Sequence, residues 1–367
     1  MHKEIGSFFE IGEHNKERLQ PGSLCAWLRK STRREEIHFL CSGREAIEMA
    51  ILDIEKKKMA GNRVCLLPSY TCDTVLLPFE KRGWRLFFYP VQRDLSVESE
   101  KFNSLLKKLQ PAVLLMHTYY GVDTIERQRQ DIQEWRRKQG LIFIEDMTQS
   151  LALLEKRQGE ADYYLGSLRK WLPIPDGAFL AAEHLLFPEP EREKENFVKE
   201  KLEAQQMKYA YLQGNKEIEK KTILEINKRA ENYLYQDTRI SKISDFSREQ
   251  MDSINLLQLF QKRKKNSKFL QEKINRLETI KGVLDNRDSC PIYFPIYTEN
   301  RERLQRHLRE DGIFAPVLWQ VPEMVRAGLE RDTSYIFNHL LALPCDQRYG
   351  REEMERIYFS LKGYEEK

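Results

Sequence analysis

The stretch LIFIEDMTQS, residues 141–150, places an unbroken apolar run directly before Glu145 and Asp146. A run of this length and composition is typical of a strand that is buried on both faces. Four more such runs occur in the first half of the chain, at residues 63–69, 84–91, 112–118 and 178–182. Helical patterns separate most of them, and alternating strands and helices predict an α/β fold whose mainly parallel central sheet is covered by helices.

The overall composition is that of a globular protein with a sizeable core. The chain has 367 residues, of which 41% are hydrophobic and 11% aromatic, and its length predicts more than one structural unit. Its 61 basic and 57 acidic residues leave a net charge of +4, which is too small to indicate binding to nucleic acid or to a membrane. No apolar run suits a signal peptide or a membrane span, so we expect a cytoplasmic protein. The six cysteines form no C-x-x-C pair, which indicates neither a zinc site nor a disulfide framework.

The pattern changes after about residue 185. Residues 185–240 are highly charged and carry apolar residues at helical spacing, which predicts a helical insertion in a large α/β domain of residues 1–240. A helical stretch at residues 248–276 then leads into alternating strand and helix patterns. We therefore assign residues 241–367 to a small C-terminal α+β domain that is entered through a long helix.

Polar residues follow the predicted strands, and parallel sheets bind ligands at the carboxyl ends of their strands. Asp146 ends the strand of the opening stretch, and Gln149 lies three residues further on. Ser167 and Lys170 lie downstream in GSLRKW, flanked by a glycine and a tryptophan. Side chains alternate along a strand, so Glu145 should face away from Asp146, into a helix or water.

A second polar feature opens a helical pattern near the N-terminus, at Ser42, Gly43 and Arg44. The first turn of a helix has unpaired N–H groups and the positive end of the helix dipole, which together favour phosphate. A serine at this place also caps helices without binding any ligand. The turn is therefore a candidate phosphate site only in combination with other groups.

One ligand would use all of these groups. Pyridoxal 5'-phosphate (PLP) needs an amine for a Schiff base, a carboxylate at the pyridine nitrogen, a donor near the ring hydroxyl and a phosphate cradle. Lys170 would supply the amine and Asp146 the carboxylate. Gln149 would reach the ring hydroxyl, and Ser167 would contact the phosphate together with the turn at residues 42–44.

These segments also resemble the DegT/DnrJ/StrS family of fold-type I PLP-dependent aminotransferases. The similar segments are CSGREAIEMAI at residues 41–51, CLLPSYTCDTV at 65–75, HTYYG at 117–121, FIEDMTQS at 143–150, Lys170, and LLALPCDQRYGREEMERI at 340–357. The resemblance is continuous over residues 42–179, weaker over 313–361 and absent over 185–293. Its specificity comes from an acid, a glutamine and a lysine in the family's order.

The resemblance implies a divergent, homodimeric aminotransferase of the fold-type I architecture. Its substrates would be small molecules, an amino donor and a keto acceptor, and most family members act on nucleotide-linked keto sugars in sugar biosynthesis. Lys170 would form the Schiff base with the cofactor and then move the α proton of the donor. Asp146 would keep the pyridine nitrogen protonated.

Three positions depart from the family pattern. Arg44 stands where the family has threonine, and Ala178 stands where it has a second glycine. Cys72 aligns with an aromatic residue that stacks on the cofactor ring in many members. We therefore expect Tyr70 or Tyr119 to supply the aromatic face beside Cys72.

Other interpretations stay open from the sequence alone. The chain could catalyse another PLP reaction or be a catalytically silent protein of the same fold. Ser167 and Lys170 also fit the S-x-x-K motif of serine acyl enzymes, with Ser244 in a weak match to their S-D-N element. Arg169 could be the partner in an ion pair or a site for a substrate anion, and His117 is assigned no chemical step.

Overall fold

The computed structural model describes residues 4–12, 23–57, 62–157, 159–284 and 289–366. The strands are short, and in chain order they are β1 (Ile5–Gly6), β2 (Glu36–Leu40), β3 (Val64–Pro68), β4 (Arg85–Tyr89), β5 (Val113–His117), β6 (Ile142–Asp146), β7 (Tyr163–Ser167), β8 (Ala178–Ala182), β9 (Lys281–Gly282), β10 (Phe294–Tyr297), β11 (Ile313–Phe314) and β12 (Leu340–Leu343). The α-helices are α1 (Ser23–Thr32), α2 (Gly43–Lys57), α3 (Asp73–Lys81), α4 (Ser99–Leu109), α5 (Arg129–Gln139), α6 (Glu195–Leu212), α7 (Lys220–Gln236), α8 (Asp245–Met251), α9 (Leu256–Ile274), α10 (Arg301–Glu310), α11 (Glu323–Arg326), α12 (Arg331–His339) and α13 (Arg351–Glu365).

Contacts divide the chain into two compact units, each built from several segments. The first unit comprises residues 1–7, 59–163 and 257–367, and the second comprises residues 8–58 and 164–256. The domain boundary that we place at residue 240 stays a prediction.

The first unit contains four parallel strands, which lie side by side in the order β6-β5-β3-β4. Every residue of β3, β5 and β6 is buried, which explains why these strands appear in the sequence as continuous apolar runs. Helices α3, α4 and α5 connect the strands in turn. The unit also holds an antiparallel sheet in the order β12-β10-β9 and a parallel pair of β1 with β11.

The second unit is built on β2, β8 and β7, which lie side by side in that order with β2 antiparallel to β8. Helix α2 packs on β8, and α6 and α7 pack against each other. The apolar residues of α6 and α7 form one buried group with Cys41, whose other members are Phe197, Val198, Ala230 and Leu234. The helical character predicted for residues 185–240 is therefore confirmed.

The five strands predicted from apolar runs are all present as β3, β4, β5, β6 and β8. Strand β2 escaped prediction because its sequence EIHFL mixes charged and apolar residues, whereas β7 is the short β-like segment expected between Asp146 and Lys170. The helical stretch predicted over residues 248–276 is present as two helices, because the chain turns between α8 and α9. Asp252, Ser253 and Asn255 lie in this turn, and such side chains compete with the helix for backbone hydrogen bonds.

Three further observations concern the described residues only. None of their helices is both long enough and apolar enough to cross a bilayer. No group of three histidine, cysteine or acidic side chains among them is arranged to hold a metal ion. The six cysteines are free thiols, and Cys41, Cys65, Cys290 and Cys345 are buried.

Gly121 illustrates how tightly the first unit is packed where β5 ends. Its φ is +75°, and an added Cβ would lie 2.4 Å from the carbonyl carbon and oxygen of Cys290. We expect Gly121→Ala to lower the free energy of unfolding by at least about 2 kcal/mol, because left-handed strain and a backbone clash add together.

Gly312→Ala is the matched control for this substitution. Gly312 has a similar φ of +74° but no atom within 4 Å of the added Cβ, so its cost should be about 1 kcal/mol from backbone strain alone. Urea unfolding of both variants measures the difference. Equal losses of stability in the two variants would contradict the packing argument at Gly121.

Candidate functional site

The carboxyl ends of β5 and β6 bring an acid and a histidine together in the first unit. His117 and Asp146 are register partners in the parallel pair of strands. The Nδ1 atom of His117 lies 3.2 Å from Oδ2 of Asp146, and its Nε2 atom lies 2.9 Å from the hydroxyl of Thr71. The backbone N–H of Thr148 donates to Oδ1 of Asp146 over 2.8 Å. Two donors thus hold the Asp146 carboxylate at the carboxyl end of β6.

These contacts keep Asp146 ionised although its side chain is only 8% exposed. Burial by itself raises the pKa of Asp146, but the hydrogen bonds from His117 and Thr148 outweigh it and lower the pKa below its ordinary value of 3.8. A buried carboxylate with a lowered pKa is suited to hold a protonated ring nitrogen. The sequence assigned no chemical step to His117. In the structure, His117 is the partner that orients the Asp146 carboxylate and lowers its pKa.

Gln149 presents a buried polar atom toward the same region. Its Oε1 atom accepts a hydrogen bond from the backbone N–H of Tyr120 over 3.2 Å. Its Nε2 atom is buried and finds no hydrogen-bond partner within the described part of the chain. Leaving a buried donor unsatisfied costs about 1–3 kcal/mol, so such atoms point to a missing partner. A ligand oxygen would complete the hydrogen bonding of Gln149.

An aromatic cluster in the first unit includes the histidine of this pair. It consists of Tyr70, His117, Tyr119 and Trp319, with Trp319 4.8 Å from Tyr70 and 5.9 Å from His117 between ring centroids. The hydroxyl of Tyr119 donates to the backbone carbonyl of Tyr70 over 2.6 Å. Cys72 stands outside this cluster at the start of α3, where its Sγ lies 2.9 Å from the hydroxyl of Thr74.

Sequence reasoning missed Trp319, which belongs to the segment between β11 and α11. The run IFAPVLW had been assigned to the small C-terminal domain, and no pattern in it distinguishes a site residue from a core residue. Only the departure at Cys72, which leaves an aromatic position empty, could have prompted a search for a tryptophan elsewhere.

In the second unit, Lys170 follows the carboxyl end of β7. Residues Leu168–Lys170 form one 3₁₀ turn, and the N–H groups of Leu168 and Arg169 both donate to the carbonyl of Gly177. Trp171 is fully buried whereas Lys170 is exposed. The turn is therefore anchored on the core, and the amine of its last residue stays accessible to a ligand.

The candidate phosphate-binding site of the second unit lies at the start of α2. Gly43 is the first residue of this helix, and a Cβ placed on it would lie 3.5 Å from Cβ of Ser167. The structure thus brings Gly43 and Ser167 together, as the prediction of a shared phosphate site requires. The hydroxyl of Ser42 donates to Oε1 of Glu45 over 3.0 Å.

Arg44 extends from the same turn toward α7. Its guanidinium donates to the backbone carbonyl of Leu234 and lies 5.9 Å from the ring centroid of Tyr235. In this position the side chain ties α2 to the end of α7. Its role as a contact to phosphate stays a prediction.

Arg169 is an ion-pair partner in the structure. Its guanidinium donates to both carboxylate oxygens of Glu231 over 2.9 and 3.2 Å. Lys201 donates to the same carboxylate over 2.7 Å. Burial raises the pKa of Glu231, but these two cations outweigh it and hold the pKa well below its usual range. The pair fixes the residue before Lys170 to α7.

Glu45 is a buried acid whose pKa shifts in the opposite direction. Burial raises its pKa to about 7 despite Lys194 nearby and the hydrogen bonds from Ser241 and Ser42. Because the folded pKa exceeds the unfolded value of 4.5, folding takes up a proton between these two pH values. The contribution of Glu45 to stability is therefore full below pH 4.5 and is lost as the pH rises through 7.

We expect Glu45→Gln to flatten this dependence, because glutamine stays neutral at every pH. As the pH rises from 5 to 8, the free energy of unfolding of the variant should increase by up to about 3 kcal/mol relative to that of the wild type. Urea unfolding across this range measures the gain. A constant difference between the two proteins would show that Glu45 does not titrate there.

The site residues predicted from the sequence thus fall into two groups. The first unit holds Tyr70, Cys72, Tyr119, Asp146 and Gln149, and the second holds Ser42, Gly43, Arg44, Ser167 and Lys170. That both groups serve one ligand stays a prediction.

Comparisons with known proteins identify the fold. No protein-family model and no curated protein matches the sequence. Solved structures do match, and one of them is the Helicobacter pylori aminotransferase PseC of pseudoaminic acid biosynthesis, with a TM-score of 0.68 at 12% identity over 99% of this chain and 100% of that one.

Two other solved structures match with similar scores. A DegT DnrJ EryC1 StrS aminotransferase from Brucella abortus has a TM-score of 0.64 at 15% identity, over 96% of this chain and 92% of that one. NtdA from Bacillus subtilis, solved with bound cofactor PMP, has a TM-score of 0.64 at 16% identity, over 94% of this chain and 75% of that one. The chain therefore has the fold of the DegT/DnrJ/EryC1/StrS aminotransferases, the fold-type I architecture of PLP-dependent transferases.

Proposed function

We propose that this protein is a PLP-dependent aminotransferase that carries the cofactor on Lys170. The observation that carries the proposal is the Asp146 carboxylate, which is buried, ionised and held by His117 at the carboxyl end of a parallel strand. Burial of a charge is costly unless a partner of opposite charge compensates it. A protonated pyridine nitrogen would be such a partner.

The residues present fit the cofactor at several of its atoms. Asp146 would hold the ring nitrogen, and the unsatisfied Nε2 atom of Gln149 would donate to the ring hydroxyl. Ser167 and the first turn of α2 would bind the phosphate, since Gly43 lies next to Ser167. The exposed amine of Lys170 would reach the aldehyde.

PLP supplies an aldehyde that condenses with amines and a protonated ring that accepts the electron pair of a breaking bond to Cα. The work of the protein is to place acids and bases around that chemistry. Asp146 would present a negative charge to the ring nitrogen, and the hydrogen bond from His117 lowers the pKa of Asp146. The Nζ atom of Lys170 would act as the base that takes the proton from Cα of the donor.

The substrate class is part of the proposal, and the names of the fold neighbours support it. PseC acts in pseudoaminic acid biosynthesis, and other solved structures with this fold are named as sugar aminotransferases. We therefore propose that the substrates are a small-molecule amino donor and a keto sugar, either free or linked to a nucleotide, as the acceptor. We further propose that the protein is a cytoplasmic homodimer and binds neither nucleic acid nor membranes.

The serine acyl enzyme remains the second candidate but has less support. Its S-D-N element would require Ser244, and the hydroxyl of Ser244 donates to the buried carboxylate of Asp176 over 2.6 Å while also capping α8. This serine therefore has a structural role. No specific contact favours the acyl enzyme over the aminotransferase.

The proposal is tested by the absorption spectrum of the purified protein with added PLP, before and after borohydride. We expect a visible band that borohydride bleaches, and peptide mapping should find the reduced adduct on Lys170. A β-lactam probe should leave Ser167 unlabelled. Absence of the band together with a label on Ser167 would replace the aminotransferase by the acyl enzyme.

A further inference from the structure

The aromatic cluster contains one ring that is not fully packed. Tyr70, His117 and Tyr119 are 2%, 4% and 1% exposed, so these three rings are covered by protein. Trp319 is only half-buried, and it is the most exposed of the four rings. Large aromatic side chains at binding sites combine accessible surface with a fixed position.

Contacts with neighbouring rings fix the position of Trp319. Its ring lies 4.8 Å from Tyr70 and 5.9 Å from His117, and it is tilted by only 38° against the imidazole. The same imidazole contacts the Asp146 carboxylate through Nδ1. A half-buried indole therefore lies one side chain away from the buried carboxylate.

A ligand that satisfies both features must be a flat, cationic aromatic ring. The carboxylate selects a protonated ring nitrogen, and an electron-rich indole face attracts an electron-poor ring. Cys72 has no ring, and its thiol already contacts Thr74. Tyr70 and Tyr119, which we considered from the sequence, are covered on their faces by the other members of the cluster and by protein.

We propose that Trp319 stacks on the pyridine ring of the cofactor and takes the role that an aromatic residue at position 72 has in many proteins of this fold. The proposal rests on the proposed function, because it assumes that PLP binds at Asp146. It assigns a binding residue from the C-terminal part of the chain to a site whose other members in the first unit lie between residues 70 and 149.

The test compares Trp319→Phe with Trp319→Leu, because phenylalanine keeps an aromatic face and leucine keeps only apolar volume. We measure the Kd for PLP and the Kd for inorganic phosphate, together with the Tm of the cofactor-free protein. The matched control is Trp135→Leu, which removes another half-buried tryptophan of the first unit, on α5.

Trp319→Leu should raise the Kd for PLP about 10-fold, and Trp319→Phe should raise it no more than about 3-fold. The Kd for inorganic phosphate should be unchanged in both, and Trp135→Leu should leave both constants unchanged. If Trp319→Leu fails to fold, Trp319→Met and Trp319→Tyr provide the same comparison.

Equal Kd values for PLP in the wild type and Trp319→Leu would overturn the inference, as would an equal loss in the phenylalanine and leucine variants. Such a result leaves the proposed function intact if the wild type still forms its borohydride-reducible adduct on Lys170. A wild-type protein that binds no PLP would overturn both.

Discussion

Lys170→Ala should abolish the borohydride-reducible adduct and lower kcat/KM by at least about 10⁴-fold, because it removes both the covalent anchor and the base. Lysine 170 is exposed, so the substitution removes little packing, and the free energy of unfolding should stay within about 0.5 kcal/mol of the wild type. Loss of activity without loss of stability distinguishes a chemical role from a structural one.

The matched control for this prediction is Lys199→Ala, which removes an exposed lysine from α6. It should change neither adduct formation nor turnover. Mass spectrometry of the reduced protein locates the adduct in each variant. An adduct on another lysine, or normal rates in Lys170→Ala, would exclude Lys170 as the cofactor lysine.

Asp146→Asn should have the second largest effect, a drop in kcat of about 10²–10³-fold, because asparagine has the shape of the acid but no negative charge. The loss should fall mainly on kcat, since the charge stabilises the ring nitrogen most when electrons move into the ring. Steady-state kinetics with the amino donor as the varied substrate separate kcat from KM. Unchanged kcat would remove Asp146 from the mechanism.

His117→Gln is the companion variant, because it leaves Asp146 in place and removes its partner. The pKa of Asp146 is lowered by hydrogen bonding to His117 against the effect of burial, so the pKa should rise when the imidazole is lost. A carboxylate with a lowered pKa is ionised above that pKa and loses its charge as the pH falls through it. The acid limb of the activity profile should therefore move to higher pH in His117→Gln.

The sequence contained enough information for the parallel strands and for the acid, amide and lysine at their ends. Strands β3, β5 and β6 are buried on both faces, so each appears in the sequence as a continuous apolar run. Such a run can be recognised within one segment of the sequence. The turn at Ser42 and Gly43 could be recognised for a similar reason, because a helix start has local backbone requirements.

The tertiary structure decided which side chains act on those groups. His117 lies beside Asp146 because their strands pair in register, and Arg169 finds Glu231 across 62 residues of sequence. Trp319 joins the aromatic cluster although most of the chain separates it from Tyr70 in the sequence. Strand propensity and local capping are short-range properties that one segment carries alone, whereas charge pairing and ring contacts depend on segments that only folding brings together.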